Sequence, residues 1–214
     1  MKKIALLLTA LVMCVAAQAQ VRTSRTFVKQ KANMEWIIRA GLNINHLAGF
    51  DGGEGVKIGS RAGFDVDFGF NRYFNNSNLY WGMELGFNSR GGSVGLDEEK
   101  FKMAGYNVKY SPFTIGYKFP VADGIKIDPH FGVYASYDFA TSMKFDDGEE
   151  SYDVKDYMDF DNKYDVGIQI GAGIWYQRFN LDLMYVRGFI NAFDSYGMEG
   201  GKTSNFEIRL GVAF

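Results

Sequence analysis

The chain has 214 residues, of which 26 are glycine, 3 are proline and 16% are aromatic, a composition that argues against both a disordered chain and a helical domain. A mean hydropathy of −0.16 excludes a polytopic helical membrane protein, and a net charge of −2 excludes the basic footprint of a nucleic-acid binder. A slightly polar average is still what a chain shows when only alternate residues of its strands face lipid.

The chain opens with the basic Met1-Lys2-Lys3, an apolar run from Ile4 to Ala17, and the small-x-small site Ala17-Gln18-Ala19 before Gln20. The run falls short of the roughly 20 apolar residues of a helical anchor. Residues 1–19 are therefore predicted to be a cleaved signal peptide. Cys14, the only cysteine, lies inside it after Met13, where a lipoprotein signal needs a small residue. The remaining chain then has no thiol, and 21 basic residues face 25 acidic ones. Residues 20–34 carry Arg22, Arg25, Lys29 and Lys31 without an acid, and read as a solvated periplasmic segment ahead of one domain, residues 35–214.

Eight strand-like segments follow. In the first, Trp36, Ile38, Ala40, Leu42 and Ile44 oppose Arg39, Gly41, Asn43 and Asn45. In the second, Ala62, Phe64, Val66, Phe68 and Phe70 oppose Arg61, Gly63, Asp65, Asp67, Gly69 and Asn71. The third sets Leu79, Trp81, Met83, Leu85 and Phe87 against Gly82, Glu84, Gly86, Asn88 and Arg90. The fourth, about Ala104 to Phe119, changes phase between Tyr110 and Phe113, and Pro112 at the switch predicts a β-bulge because proline cannot donate to a ladder. The fifth, Ile125 to Phe139, places Phe131, Val133, Ala135, Tyr137 and Phe139 opposite Asp128, His130, Gly132, Ser136 and Asp138. The sixth sets Val166, Ile168, Ile170, Ala172 and Ile174 against Asp165, Gly167, Gln169, Gly171 and Gly173. The seventh, Phe179 to about Phe189, sets Leu181, Leu183 and Tyr185 against Asp182, Met184 and Val186. The eighth runs to the last residue, with Phe206, Ile208, Leu210, Val212 and Phe214 opposite Glu207, Arg209, Gly211 and Ala213.

Long connections (Gly49 to Ile58, Gly91 to Met103, Thr141 to Lys163, Ile190 to Ser204) alternate with short ones (Phe74 to Asn78, Pro120 to Gly124, Gln177 to Arg178). That is the layout of an even-stranded, antiparallel, up-and-down transmembrane β-barrel with both termini in the periplasm of a Gram-negative outer membrane. Trp36, Tyr73, Trp81, Tyr117, Phe119, Trp175, Tyr176, Phe179 and Phe214 cluster near the strand ends on the terminus side and are expected to form an interfacial girdle.

Energy decides which face is inside. A lipid-facing Arg or Lys near mid-membrane costs about 2–4 kcal/mol, so Arg39, Asp65, Asp67, Glu84, Asp182, Glu207 and Arg209 are predicted to face the lumen. Eight strands leave an interior that side chains fill. These charges are expected to pair and plug it, with lumen glycines making room for the longer side chains.

The last strand resembles the C-terminal signal of outer-membrane barrels, in which the barrel-assembly machinery reads alternating apolar residues and a terminal aromatic; here these are Phe206, Ile208, Leu210, Val212 and Phe214. With the signal ending Ala-Gln-Ala-Gln and the segments Tyr110-Ser111-Pro112-Phe113-Thr114-Ile115-Gly116-Tyr117-Lys118 and Leu181-Asp182-Leu183-Met184-Tyr185-Val186-Arg187-Gly188-Phe189, the chain resembles the PorT-like barrels of the Bacteroidetes, a subset of the eight-stranded OmpA/OmpX-like proteins. The resemblance implies a barrel and not an activity.

The functional expectation is a non-enzymatic outer-membrane barrel with an envelope-structural, adhesion or secretion-accessory role, without cofactor, metal or nucleic acid. Its expected partners are outer-membrane lipid and lipopolysaccharide, the assembly machinery, and a protein bound by the outer loops. One alternative is a small hydrolase or acyltransferase using His46 with Asp51 and Ser60 at the rim, although no serine sits in a nucleophile motif. Another is a secreted lipocalin-like carrier, which requires the apolar face inward. His130 beside Asp128 reads as a hydrogen-bonded structural histidine. The acidic third long connection (Asp146, Asp147, Glu149, Glu150, Asp153, Asp156, Asp159, Asp161) reads as a solvated loop, since Lys163 takes the third ligand position of a calcium loop and no glycine follows.

Overall fold

A computed structural model describes residues 33–49, 56–74, 77–96, 99–146, 151–153, 160–193 and 200–214; the signal peptide, residues 20–32 and most of the acidic connection lie outside the described residues. Eleven strands form one sheet: β1 (Met34–Ala48), β2 (Val56–Gly59), β3 (Arg61–Tyr73), β4 (Leu79–Leu96), β5 (Glu99–Tyr117), β6 (Phe119–Ala122), β7 (Ile125–Asp146), β8 (Ser151–Asp153), β9 (Tyr164–Tyr176), β10 (Phe179–Gly188) and β11 (Lys202–Ala213). The eight long ones pair in the order β1, β3, β4, β5, β7, β9, β10, β11, and β11 returns to β1 from Ile37↔Ala213 to Ala48↔Lys202. Every pairing in this ring is antiparallel, so the fold is a closed eight-stranded barrel. Closure removes the free sheet edges that would otherwise invite aggregation. Each predicted segment is one of these strands.

Exposure is inverted relative to a soluble protein. On β11, Leu210 is 68% exposed, while its neighbours Arg209 and Glu207 are 1% and 0% exposed. The same alternation runs along β1, β3, β9 and β10. A carrier with its apolar face inward is the opposite arrangement.

The phase change at Pro112 is a bulge. Tyr110 pairs with Ala135 and Phe113 with Val133, so Ser111 and Pro112 together oppose Tyr134. On the other side Thr114 and Ser111 pair with Gly82 and Glu84. The extra residue keeps Tyr110 outward on one side of the bulge and Phe113, Ile115 and Tyr117 outward on the other. A second bulge at Phe139, between the pairs Tyr106↔Ala140 and Asn107↔Asp138, has no proline to signal it. Beyond it Thr141 and Met143 turn inward.

Two sequence expectations are corrected here. Gly91 to Met103 is not a loop: β4 and β5 continue as a ladder from Gly91↔Ala104 to Leu96↔Glu99. With β2 on β4, β5 on β7 and β8 on β7, they extend the sheet past the barrel on one side. Glycine-rich sequence reads locally as loop, but hydrogen bonds from strands on both sides hold it extended. Tyr73 and Trp175 do not join the outer girdle, because they share the inward phase of Asn71 and Gly173. Trp175 is 1% exposed, and the Tyr73 hydroxyl donates to Glu35 Oε2 at 2.8 Å. Trp36, Tyr117, Phe119, Tyr176 and Phe179 are exposed on the outer wall.

Lumen glycines open space for the charged side chains. A Cβ at Gly41 would overlap the Ile208 carbonyl and the Arg209 side chain, and one at Gly86 would overlap the Asp67 carboxylate.

Candidate functional site: a filled, charged lumen

The inward face of each strand contributes to a stack of polar tiers. At the terminus end, Lys118 Nζ donates to Glu35 Oε2 at 2.5 Å and lies 3.4 Å from the Trp175 ring centroid, with the Tyr73 and Tyr80 rings at 5.6 and 5.7 Å. Asp128 ties this cage together, accepting from the Tyr80 hydroxyl at 2.9 Å and from Trp175 Nε1 at 2.8 Å. Rings that would have met lipid headgroups instead surround a cation inside the barrel.

The middle tier holds all seven charges assigned to the lumen from sequence, each buried. Arg39 on β1 pairs with Glu84 on β4 and donates from Nε to Asn180 Oδ1 at 3.1 Å. Arg209 on β11 pairs with Asp182 on β10, reaches Asp67 Oδ2 on β3 at 2.8 Å, and lies 3.5 Å from Glu84 Oε2. Lys109 on β5 completes the set, with Asp65 Oδ2 at 2.8 Å, Glu207 Oε2 at 3.4 Å and Asp67 Oδ2 at 3.7 Å. The network therefore crosses the lumen from wall to wall. His130 donates from Nδ1 to the Asp128 carbonyl at 3.0 Å, and its Nε2 is 3.6 Å from Asp182 Oδ1.

At the far end, Arg90 pairs with Asp138 at 2.6 Å, lies 3.6 Å from Asp165, donates to the Asn162 carbonyl at 2.8 Å, and stacks over Phe160 at 5.4 Å. The Tyr134 hydroxyl donates to Asp165 at 2.9 Å. A cavity of about 10 Å³ between Arg90 and Lys109 has room for a single water. Beyond Phe160 the interior turns apolar: Leu47, Met103, Met143, Phe160, Ala192 and Phe193 form one buried cluster. Because β1 stands across the ring from β5 and β7, this cluster spans the mouth.

Among the described residues, the buried carboxylates Asp65, Asp67, Glu84, Asp128, Asp138, Asp165, Asp182 and Glu207 outnumber the buried cations Arg39, Arg90, Lys109, Lys118 and Arg209. Cations are the scarce partner, so most of them serve several carboxylates. Each buried ion carries a desolvation penalty of several kcal/mol, and a network with multiple short contacts is the arrangement that offsets it.

Lys109 and Lys118 were given no face from sequence, and Arg90, Asp128, Asp138 and Asp165 were set on the polar face without being named in the charge network. The signal was available, because Lys109 alternates with Tyr110 and Val108 and shares a phase with Ser111. Phe206, Ile208, Leu210 and Val212 all point outward on β11, and Phe214 is exposed. His46 also points outward, half-buried, across from Ser204 on β11. Asp51 lies outside the described residues, and Ser60 is exposed between β2 and β3. Among the described residues no group of His, Cys, Asp and Glu is arranged to hold a metal ion.

Comparison with known proteins adds a family. The model of the outer membrane protein beta-barrel domain matches residues 17–194. No curated protein matches. Among solved structures, the chain is similar to the attachment invasion locus protein Ail of Yersinia pestis (16% identity, 85% of this chain and 99% of that one, TM-score 0.39). It is also similar to OprG of Pseudomonas aeruginosa (17%, 84% and 95%, 0.47) and to a major outer membrane protein of Thermus thermophilus (15%, 85% and 98%, 0.49).

Proposed function

This chain belongs to the outer-membrane β-barrel family that matches it over residues 17–194, and from that premise we propose that it is a non-enzymatic integral barrel with a closed lumen, its termini in the periplasm and its recognition surface on the opposite rim. It serves the envelope as a structural, adhesion or secretion-accessory component. Outer-membrane lipid and lipopolysaccharide surround it, a protein partner binds the outer connections, and the assembly machinery reads Phe206, Ile208, Leu210, Val212 and Phe214. The segments around Pro112 and Asp182 favour a place among the PorT-like barrels.

One observation carries the closed-lumen reading. Arg209 on β11 is held by Asp182 on β10, Asp67 on β3 and contact with Glu84 on β4, so a single guanidinium ties four strands together inside the bore. Apolar packing at one mouth and the Lys118 cage at the other support it. The test is planar-bilayer recording of the refolded protein, with the gel shift between boiled and unboiled samples as the check that it is folded. A folded protein without steady conductance is the expected result, and a stable open current overturns it. The alternative of a rim hydrolase depends on His46, and undiminished lipid and peptide hydrolysis by His46→Ala would remove it.

A further inference from the structure

The outer wall is not the same all the way round at the end away from the termini. On β4, β5, β7 and β9 the outward rim is aromatic: Phe87, Tyr106, Tyr137, Phe139 and Tyr164. On β10 and β11 it carries the cations Arg187 and Lys202, and on β1 the imidazole of His46. The register sets His46 opposite Ser204 and Ser204 opposite Arg187, a single row across three neighbouring strands, with Lys202 one step further out opposite Ala48. The next row toward mid-barrel is apolar, with Ile44, Phe206 and Tyr185 side by side. The cations thus stand at the edge of the lipid-facing band.

Among the described residues they are also uncompensated. Every carboxylate on these three strands, namely Glu35, Asp182 and Glu207, belongs to the inward face. None of His46, Arg187 and Lys202 forms an ion pair with a carboxylate among the described residues, whereas Arg61 on β3 is turned over the Tyr106 ring at 6.0 Å. The Ser204 hydroxyl is hydrogen-bonded to Tyr185 at 3.0 Å, which leaves it further capacity toward the rim. The sheet extension built from β2, β4, β5, β7 and β8 belongs to the other side of the ring.

We propose that His46, Arg187, Lys202 and Ser204 form a docking site for the phosphate of an anionic lipid in the outer leaflet. The inference rests on the outer-membrane orientation given above. A phosphate suits the row because guanidinium and ammonium donors meet its oxygens with charge-assisted hydrogen bonds. The phosphate belongs to a lipid because the strip below it, Leu42, Ile44, Leu183, Tyr185 and Phe206, is exposed and apolar and takes the acyl chains. A free phosphate would use only the upper half of the site.

Native mass spectrometry of the refolded protein in detergent tests this, with bisphosphorylated lipid A, its fully dephosphorylated form and inorganic phosphate as probes. The expected result is selective retention of the phosphorylated lipid, weakened about fivefold for each cation removed and thus about 25-fold in Arg187→Gln/Lys202→Gln. Equal retention of phosphorylated and dephosphorylated lipid overturns the proposal, as does equal affinity of the folded double variant and the parent. Displacement of the lipid by an equal concentration of inorganic phosphate also overturns it. Should the double variant lose the heat shift on gels, the single changes Arg187→Gln and Lys202→Gln give the same comparison. A parent protein that shows the heat shift without phosphate preference sinks this inference alone, whereas one that is soluble and unshifted sinks the outer-membrane reading itself.

Discussion

Lys118 Nζ lies 3.4 Å from the centre of the Trp175 indole, and the same indole donates its N–H to Asp128 at 2.8 Å. One ring therefore holds a cation on its face and an anion at its edge, as its quadrupole favours. Tyr80 repeats the pattern, its ring near Lys118 and its hydroxyl on Asp128.

Replacing Lys118 by Met keeps the aliphatic stem and removes the charge. The desolvated cation–π contact is worth about 2 kcal/mol, and the change also removes the cation paired with Glu35, which keeps only the Tyr73 hydroxyl. A loss of about 2–3 kcal/mol is expected from urea unfolding in lipid vesicles, together with a shift of tryptophan emission. An unchanged unfolding midpoint would show that the cage contributes nothing.

The charge imbalance in the lumen predicts an asymmetry between cations and carboxylates. Arg209→Ala strands Asp182 and Asp67 together and should cost about 3–5 kcal/mol or prevent folding. Asp67→Asn leaves Arg209 with Asp182 and Lys109 with Asp65, so its cost should be clearly smaller. Unfolding free energies of the two variants check the order, and equal losses would contradict it.

Pro112 tests the bulge. Deleting it removes the extra residue and joins Ser111 to Phe113, so that Phe113, Ile115 and Tyr117 stay outward and Thr114 and Lys118 inward in a ladder without the bulge. Such a chain should still give a heat-shifted band, and loss of the shift would show that the barrel needs the bulge itself. Pro112→Ala keeps the residue count and should change stability by less than about 1 kcal/mol, since the proline occupies a position that needs no N–H.

The outward face of β11 gives a graded test. Ile208→Arg places a cation on the lipid-facing wall near the middle of the strand and should cost about 2–4 kcal/mol, whereas Ser204→Arg, at the cationic rim, should cost about 0–1 kcal/mol. Equal penalties would mean that the apolar band is misplaced along the strand.

Much of this architecture is a property of single strands and so was legible locally. Alternation is fixed by the two-residue repeat of an extended chain, and the cost of a charge in lipid assigns its two faces. That logic put Arg39, Asp65, Asp67, Glu84, Asp182, Glu207 and Arg209 inside, and the proline at 112 marked its own bulge. Applied consistently, the same repeat also turns Tyr73, Lys109 and Trp175 inward; nearness to a strand end misdirects because it says nothing about phase. Tertiary structure alone decided who meets whom. Arg209 and Asp67 are 142 residues apart in sequence and become partners only because β11 closes on β1, with β3 beside it. Closure likewise turns the glycine-rich 91–103 segment into a ladder and sets His46, Ser204 and Arg187 in one row. No local pattern encodes those contacts, because pairing depends on the register in which the two ends of the sheet meet.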